Sequence, residues 1–511
     1  MRIQLSIISL LPLLACSWAK PAPTDATISA PTSSVATASG SASAAASSVA
    51  ASVGSTSSAS PTTISAPTSS VTTASGSASA AASSVAASVG STSSASPSTI
   101  DTPTSSSPTS VVSGSATVTL SSSATSSAVA PHNTSSPPIA LGYVADYHID
   151  ETNLQNYPFE NYTHMSFFGT PVYNQEIELN MTTEEPLVQE FVRLAHQHDV
   201  KAMFTIGGYG PASVYFSLQT RNDSRENYAD LLTSYAFQHG FDGIDLDWEY
   251  PNGNKSAAGD LFYNDDDTSN FLAFLKTLRS KASNLTLSAA APGQPWLDMH
   301  QKPWTNMSEF ASVLDFVVIM NYDRFGSWSA TAGPNAALDD SCVANATLRQ
   351  GSAVSSIKAW TDAGFPASKL VLGVPAYGHG FPVSAGHATN PNRSIALYPP
   401  VDASRLPLHG DKWDDPAAPG GTFTFQGLMD NGYLKQDGTP ADGIYHTFDN
   451  CTKTPFLYNG STEVMVSYDD AQSMRLKGEF VKEQGLAGFA MFEVGGDHEN
   501  ILLSAVKEGM H

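Results

Sequence analysis

The chain runs to 511 residues and sets 47 acidic side chains against 24 basic ones, a formal net charge of −23. An acidic excess of that size excludes the basic footprint that nucleic acid or an anionic membrane surface requires. The length exceeds one ordinary domain, and the composition is uneven along it.

Residues 1–19 read as a signal peptide: Arg2 precedes an apolar run from Ile3 to Leu14, and the small residues Ser17 and Ala19 stand before a cleavage point. That run is too short to span a bilayer and is interrupted by Pro12. The segment Ile501 to His511 ends in Lys507, Glu508 and His511, so no membrane anchor is expected. Residues 20–138 consist mostly of Ser, Thr, Ala, Val, Gly and Pro, with hardly any charge and no aromatic ring, and cannot bury a core. Thr27 to Pro31 returns at Thr63 to Pro67, a repeat of 36 residues. In a secreted chain this composition reads as a disordered, O-glycosylated stalk. A solenoid would bury almost nothing.

From Ile139 onward short apolar strands alternate with helical stretches. The expected strands are Ala140 to Tyr147, Thr163 to Phe168, Lys201 to Ile206, Gly243 to Trp248, Leu285 to Ala290, Asp315 to Asn321, Lys369 to Val374 and Ala487 to Phe492. Helices are expected at Leu187 to His198, Arg225 to His239, Thr268 to Ala282 and Ala471 to Gln484. Eight strand and helix units predict an α/β fold, a (β/α)8 barrel over residues 139–511, with its functional groups at the C-terminal strand ends. The excess length falls between the seventh and eighth strands, at about residues 379–458, as an insertion. Cys16 leaves with the signal, so Cys342 and Cys451 remain as one disulfide pair in an oxidising compartment. No Cys or His cluster with ligand spacing accompanies them, and no metal is expected. Eleven Asn-x-Ser/Thr sequons, from Asn133 to Asn459, lie outside the stalk repeats.

The most informative segment is Phe241 to Tyr250. It sets Asp245, Asp247 and Glu249 at alternate positions, on one face of a strand, with Ile244, Leu246 and Trp248 on the other. A solvated edge strand is the plain alternative. Three crowded carboxylates repel one another and raise at least one pKa, an arrangement that recurs at active sites.

The segment resembles the DGxDxDxE signature of family 18 glycoside hydrolases, the chitinase family, with Asp242, Gly243, Asp245, Asp247 and Glu249 in its five places. The resemblance implies that Glu249 is the acid that protonates the glycosidic oxygen. Asp247, supported by Asp245, would hold the substrate's acetamido group. Thr205-Ile206-Gly207-Gly208 is similar to the SxGG motif, with Thr for Ser, and Met320-Asn321-Tyr322-Asp323 to the MxYD motif. There Tyr322 would hydrogen-bond the acetamido oxygen and Asp323 would contact the sugar. Gly142-Tyr143 resembles the first-strand GY, and Trp328, Tyr209 and Tyr250 are aromatic candidates for substrate binding. Phe492 stands where the family usually has a Trp under the cleaved sugar, a smaller platform without an N–H donor. The family also implies that the insertion is a small α+β domain that deepens the cleft.

The resemblance thus implies a chitinase acting on β-1,4-linked N-acetylglucosamine polymers by a retaining, substrate-assisted mechanism, without a cofactor. Its partners would be chitin or chitooligosaccharides, and the protein a monomer located outside the cell, with wall association left open. Two other readings share the barrel: an endo-β-N-acetylglucosaminidase acting on glycoprotein glycans, and a non-catalytic chitin-binding lectin. The stalk alone would suit a structural wall mannoprotein.

Overall fold

Alternation along each strand divides the barrel into an inner and an outer set of side chains. In the computed structural model eight parallel strands close on themselves: Ile139–Ala145, His164–Phe168, Lys201–Gly207, Gly243–Asp247, Thr286–Ala291, Phe316–Ile319, Leu370–Pro375 and Gly488–Phe492. These are the eight expected strands in the expected order, each with both neighbours hydrogen-bonded in register. The structure describes residues 137–149, 153–169, 172–173, 179–180, 185–209, 211–253, 264–390 and 394–511. The signal peptide, nearly all of the stalk, and the sequons at Asn133, Asn254 and Asn392 lie outside these residues.

Ile244, Leu246 and Trp248 pack outward, buried against the helices. Trp248 stacks on Phe216 with planes 9° apart and meets Phe271 edge-on. Burying side chains of this kind contributes about 1.5–3 kcal/mol each. Toward the C-terminal end the inward set mixes small and polar residues with the rings of Tyr143, Phe168 and Phe492. A Cβ on Gly373 would lie 3.0 Å from the Tyr322 ring, so this glycine makes room for it. The four expected helices are present, at Glu185–Gln197, Arg225–His239, Asp267–Lys281 and Ala471–Glu483. Arg225–His239 ends where Gly240 turns left-handed, φ 78°, and returns its N–H to Ala236. Helices at Pro211–Gln219, Ser308–Val313, Ala353–Asp362, Phe425–Asp430 and Ile501–Met510 were not among the segments singled out from sequence.

Between the seventh and eighth strands the chain forms a five-stranded antiparallel sheet. Its spatial order is Thr422–Thr424, Tyr377–Pro382, Val464–Ser467, Thr454–Asn459 and Tyr445–Asp449. The sheet thus begins at Tyr377 and ends at Ser467, wider at both ends than the 379–458 expected. Its first strand follows the seventh barrel strand after one residue, Ala376, and no composition break marks the join. Its core contains Phe381, Phe456, Tyr458 and Met465, together with Phe325 and Ala332 from the loop after the sixth barrel strand. That loop is also tied to the sheet covalently: Cys342 and Cys451 form a disulfide with S–S 2.06 Å and Cα atoms 5.8 Å apart. Leu338 donates its N–H to Thr452 beside it.

The disulfide closes a loop across a sequence separation of 109. Replacing both cysteines, Cys342→Ser with Cys451→Ser, is expected to lower unfolding stability by about 2–5 kcal/mol, measured by urea denaturation of the purified chain. An unchanged midpoint and slope would mean that the bridge adds nothing to the fold.

Candidate active site

The third strand ends in a turn that sets its neighbour's position. Gly207 and Gly208 have φ +112° and +104°, and a Cβ on Gly207 would fall 2.0 Å from the Asp247 carbonyl oxygen. Gly208 donates its N–H to that same oxygen at 2.8 Å. Only a residue without a side chain lets the two strand ends meet here. At the opposite end of the fourth strand, Asp242 accepts from the Ala202 N–H and lies 2.8 Å from His196, so it fastens the strands and sits away from the rim.

Asp245 is fully buried inside the barrel. Tyr143 and Thr205 each donate a hydroxyl to its Oδ2 at 3.1 Å, and Ser288 donates to its Oδ1 at 2.5 Å. Ser166, on the second strand, is 2.6 Å from Thr205 and extends the chain of hydroxyls. Burial raises the Asp245 pKa and the three donors oppose the rise. Two residues further along the strand, Asp247 is buried and its pKa is pushed well up, first by burial and then by the charges of Glu249 and Asp245. Glu249 is half-buried, and burial pushes its pKa up to about 7, with Asp323 adding to the rise and a hydrogen bond from Tyr250 opposing it.

The strand expected to run to Trp248 ends at Asp247. Alternation therefore sets Asp245 and Asp247, while Glu249 takes its place from the turn that follows, where its peptide bond to Tyr250 is cis.

Of the remaining expected residues, Tyr322 and Tyr250 stand among these acids. Tyr322 is half-buried, and the charges of Asp247, Asp323, Glu249 and Asp245 act together with burial to hold its hydroxyl protonated. Tyr250 is held protonated mainly by burial and by Glu249. Met320 is half-buried and donates its N–H to Ala291, and its Cα would lie 3.3 Å from a Cβ on Gly373. Phe492 is half-buried among Tyr143, Phe168, Tyr322 and Tyr377, stacked toward Tyr322 at 6.2 Å between ring centres. Trp328 and Tyr209 stand 40% and 50% exposed, outside the packed core.

Sequence reasoning missed five residues here: Tyr377, His379, Asn335, Ser288 and the Ser166 already described. Asp323, left-handed at φ 55°, accepts from the Tyr377 hydroxyl at 2.8 Å and lies 2.7 Å from His379 Nε2. Both partners come from the first strand of the inserted sheet. His379 is buried, with Trp328 edge-on to its ring at 5.3 Å. Asn335, fully buried, receives the Asp323 N–H at 2.9 Å and donates to the Tyr377 carbonyl. The alternation of polar Ser288 within an apolar fifth strand was its one visible signal, and Tyr377 and His379 alternate likewise.

A row of acids across a barrel's C-terminal rim, with raised pKa values, flanked by protonated tyrosines and exposed rings, is suited to proton transfer on a bound sugar. Comparison with known proteins agrees. A family model for glycosyl hydrolases family 18 matches residues 139–497, and the chain belongs to that family of glycoside hydrolases. A "chitinase-like effector" of Moniliophthora roreri is 42% identical over 383 residues, covering 73% of this chain and 92% of that protein. Chitinase A1 of Niallia circulans is 28% identical over 324 residues, 60% of this chain and 42% of that one. The crystal structure of a chitinase from Rhizomucor miehei superposes with a TM-score of 0.63 at 29% identity, covering 73% of this chain and all of that one.

Replacing Ser288 with Ala removes the shortest of the three donors to Asp245. Leaving part of a buried carboxyl without its partner is expected to cost about 1–3 kcal/mol of stability and to raise the Asp245 pKa further. Chemical denaturation at several pH values checks both, since a raised carboxyl makes the loss grow as pH increases.

Proposed function

We propose that this chain is a chitinase that cleaves β-1,4-linked N-acetylglucosamine chains with retention of configuration, Glu249 serving as acid and then as base. The observation that carries the reading is the family 18 match over residues 139–497 with Asp245, Asp247 and Glu249 in order at the end of the fourth strand, where burial pushes the Glu249 pKa up to about 7 beside an Asp247 that is itself raised. A carboxyl that keeps its proton near neutrality can deliver it to a leaving glycosidic oxygen.

The substrate's acetamido oxygen would attack the anomeric carbon as Glu249 protonates the departing oxygen. Asp247 would receive the acetamide N–H and stabilise the positive oxazolinium that forms, with Asp245 fixed below it. The Tyr322 hydroxyl, held protonated, would donate to the acetamido oxygen. Water then opens the ring, with Glu249 taking its proton. Phe492 and Trp328 would stack against sugar faces, and Tyr143, Thr205, Tyr250, Met320 and Asp323 would shape or contact the bound sugar. The apolar run Ile3 to Leu14 supports export from the cell.

Binding of chitin oligomers without cleavage is the second reading, favoured by the relatives that are named chitinase-like effectors rather than chitinases. Turnover of a fluorogenic chitooligosaccharide by the full chain decides between them: saturable binding with no product supports the second. A high-mannose glycopeptide serves as the third arm, and cleavage there but not of the chitin oligomer would point to an endo-β-N-acetylglucosaminidase.

Four outcomes are expected. Glu249→Gln loses about 10²–10⁴-fold in turnover yet still binds the oligomer, since the amide keeps the shape and cannot give a proton. The rate falls as pH rises through about 7, because the acid must be protonated. Asp323→Asn moves this fall to lower pH, because the negative charge that helps raise Glu249 is gone; a pH profile of kcat/KM measures both. Finally, deleting residues 20–137 leaves hydrolysis of soluble chitotetraose unchanged, tested on the folded truncated chain.

A further inference from the structure

Asp323 and Arg324 are adjacent in the chain and face different elements. Asp323 meets the inserted sheet, whereas the Arg324 guanidinium lies over Gly293, in the loop after the fifth strand, and against Ser356 on the helix Ala353–Asp362. A Cβ on Gly293 would come 2.4 Å from Arg324 Nη2, so that glycine makes the space the guanidinium occupies.

The guanidinium is poorly satisfied where it lies. Its Nη2 reaches Ser356 Oγ at 3.3 Å and the Met320 carbonyl at 3.5 Å, both long, and its buried Nε has no partner. Among the described residues it forms no ion pair. Burial lowers its pKa from the usual value, while Tyr250, Asp323 and Asp340 act from farther off to oppose this. Lys477, a buried cation elsewhere, has the Asp469 carboxylate at 2.5 Å. Buried charges are as a rule paired, because an unpaired one loses its hydration without return.

The same guanidinium lines a cavity of about 430 Å³, together with Gln294, Trp304, Gln350, Ser355 and Ser356. Two amides and the Ser356 hydroxyl offer hydrogen bonds to a polar rim, the Ser355 hydroxyl being taken up in capping its own helix, and the half-buried Trp304 offers a flat apolar wall. We infer that this cavity is a binding site for a carboxylated sugar of uronic-acid type, seated with its carboxylate on Arg324 and one ring face on Trp304. A planar guanidinium matches a carboxylate in shape. Asp362 on the rim and Asp340 behind disfavour a doubly charged phosphate, and the volume admits one or two sugar rings. None of the acids of the fourth strand lines this cavity, and the assignment does not depend on whether the chain hydrolyses chitin.

The test is a calorimetric titration of the full chain with sodium glucuronate, and with glucose, acetate and inorganic phosphate as comparison probes. Glucuronate is expected to saturate in the millimolar range, with glucose at least about tenfold weaker, the loss of a charge-assisted contact. Arg324→Gln is expected to reduce glucuronate affinity about tenfold or more. If that variant does not fold, Trp304→Ala decides: it should weaken glucuronate and leave acetate as it was. A saturating N-acetylglucosamine oligomer should not compete. Absence of saturable glucuronate binding, unchanged affinity in the folded Arg324 variant or in Trp304→Ala, tighter binding of phosphate, or competition by the oligomer would each overturn the assignment.

Discussion

One buried carboxyl group organises the cleft. Asp245 has no exposure to solvent, a position that is costly unless donors surround it. Its donors come from three other strands, the first, third and fifth, so all three must reach the same level inside the barrel. The strand register delivers this, with Thr205 and Ser288 paired directly across from Asp245. Closure of the barrel and satisfaction of the acid are thus one requirement. The small inward residues Gly243, Gly373, Ala290 and Ala490 leave the volume in which tyrosine rings and acids can stand side by side.

The inserted sheet belongs to the site as much as to the periphery. Tyr377 and His379 hold Asp323 from its first strand, and Asn335 links the Asp323 backbone, the Tyr377 carbonyl and, through its own N–H, the Ser467 hydroxyl of a third element. Phe325, two residues past Asp323, is packed into the sheet's own core. The loop that carries the sixth-strand residues is therefore clamped between barrel and sheet. Through Asp323 this clamp also bears on Glu249, whose proton affinity that charge raises.

Much of this was legible before any coordinates. Eight apolar runs alternating with helical periodicity give the barrel, since a parallel strand covered on both sides has few other ways to be written. The acids of Asp245 and Asp247 declare their face through a period of two. The sequence was silent where position depends on contacts across the fold. Alternation says which way Asp245 points but not which hydroxyls meet it, because Tyr143 is 102 residues away and Ser288 is 43. Tyr377 and His379 were hidden because the inserted sheet starts one residue past a barrel strand. Glu249 lies beyond the strand that seemed to carry it, and a turn has no period to read.

The bridge between Cys342 and Cys451 has a topological side. The covalent ring it closes contains the helix Ala353–Asp362, the seventh barrel strand and three strands of the inserted sheet, Tyr377–Pro382, Thr422–Thr424 and Tyr445–Asp449. A protease that cuts once anywhere inside this ring opens it without releasing either piece. The two fragments stay joined through sulfur and through the strand ladders on either side, and would part on a gel only after reduction. The chain can in this way be nicked in its most elaborated region and still hold Asp323, Tyr377 and the seventh strand on one covalently joined molecule.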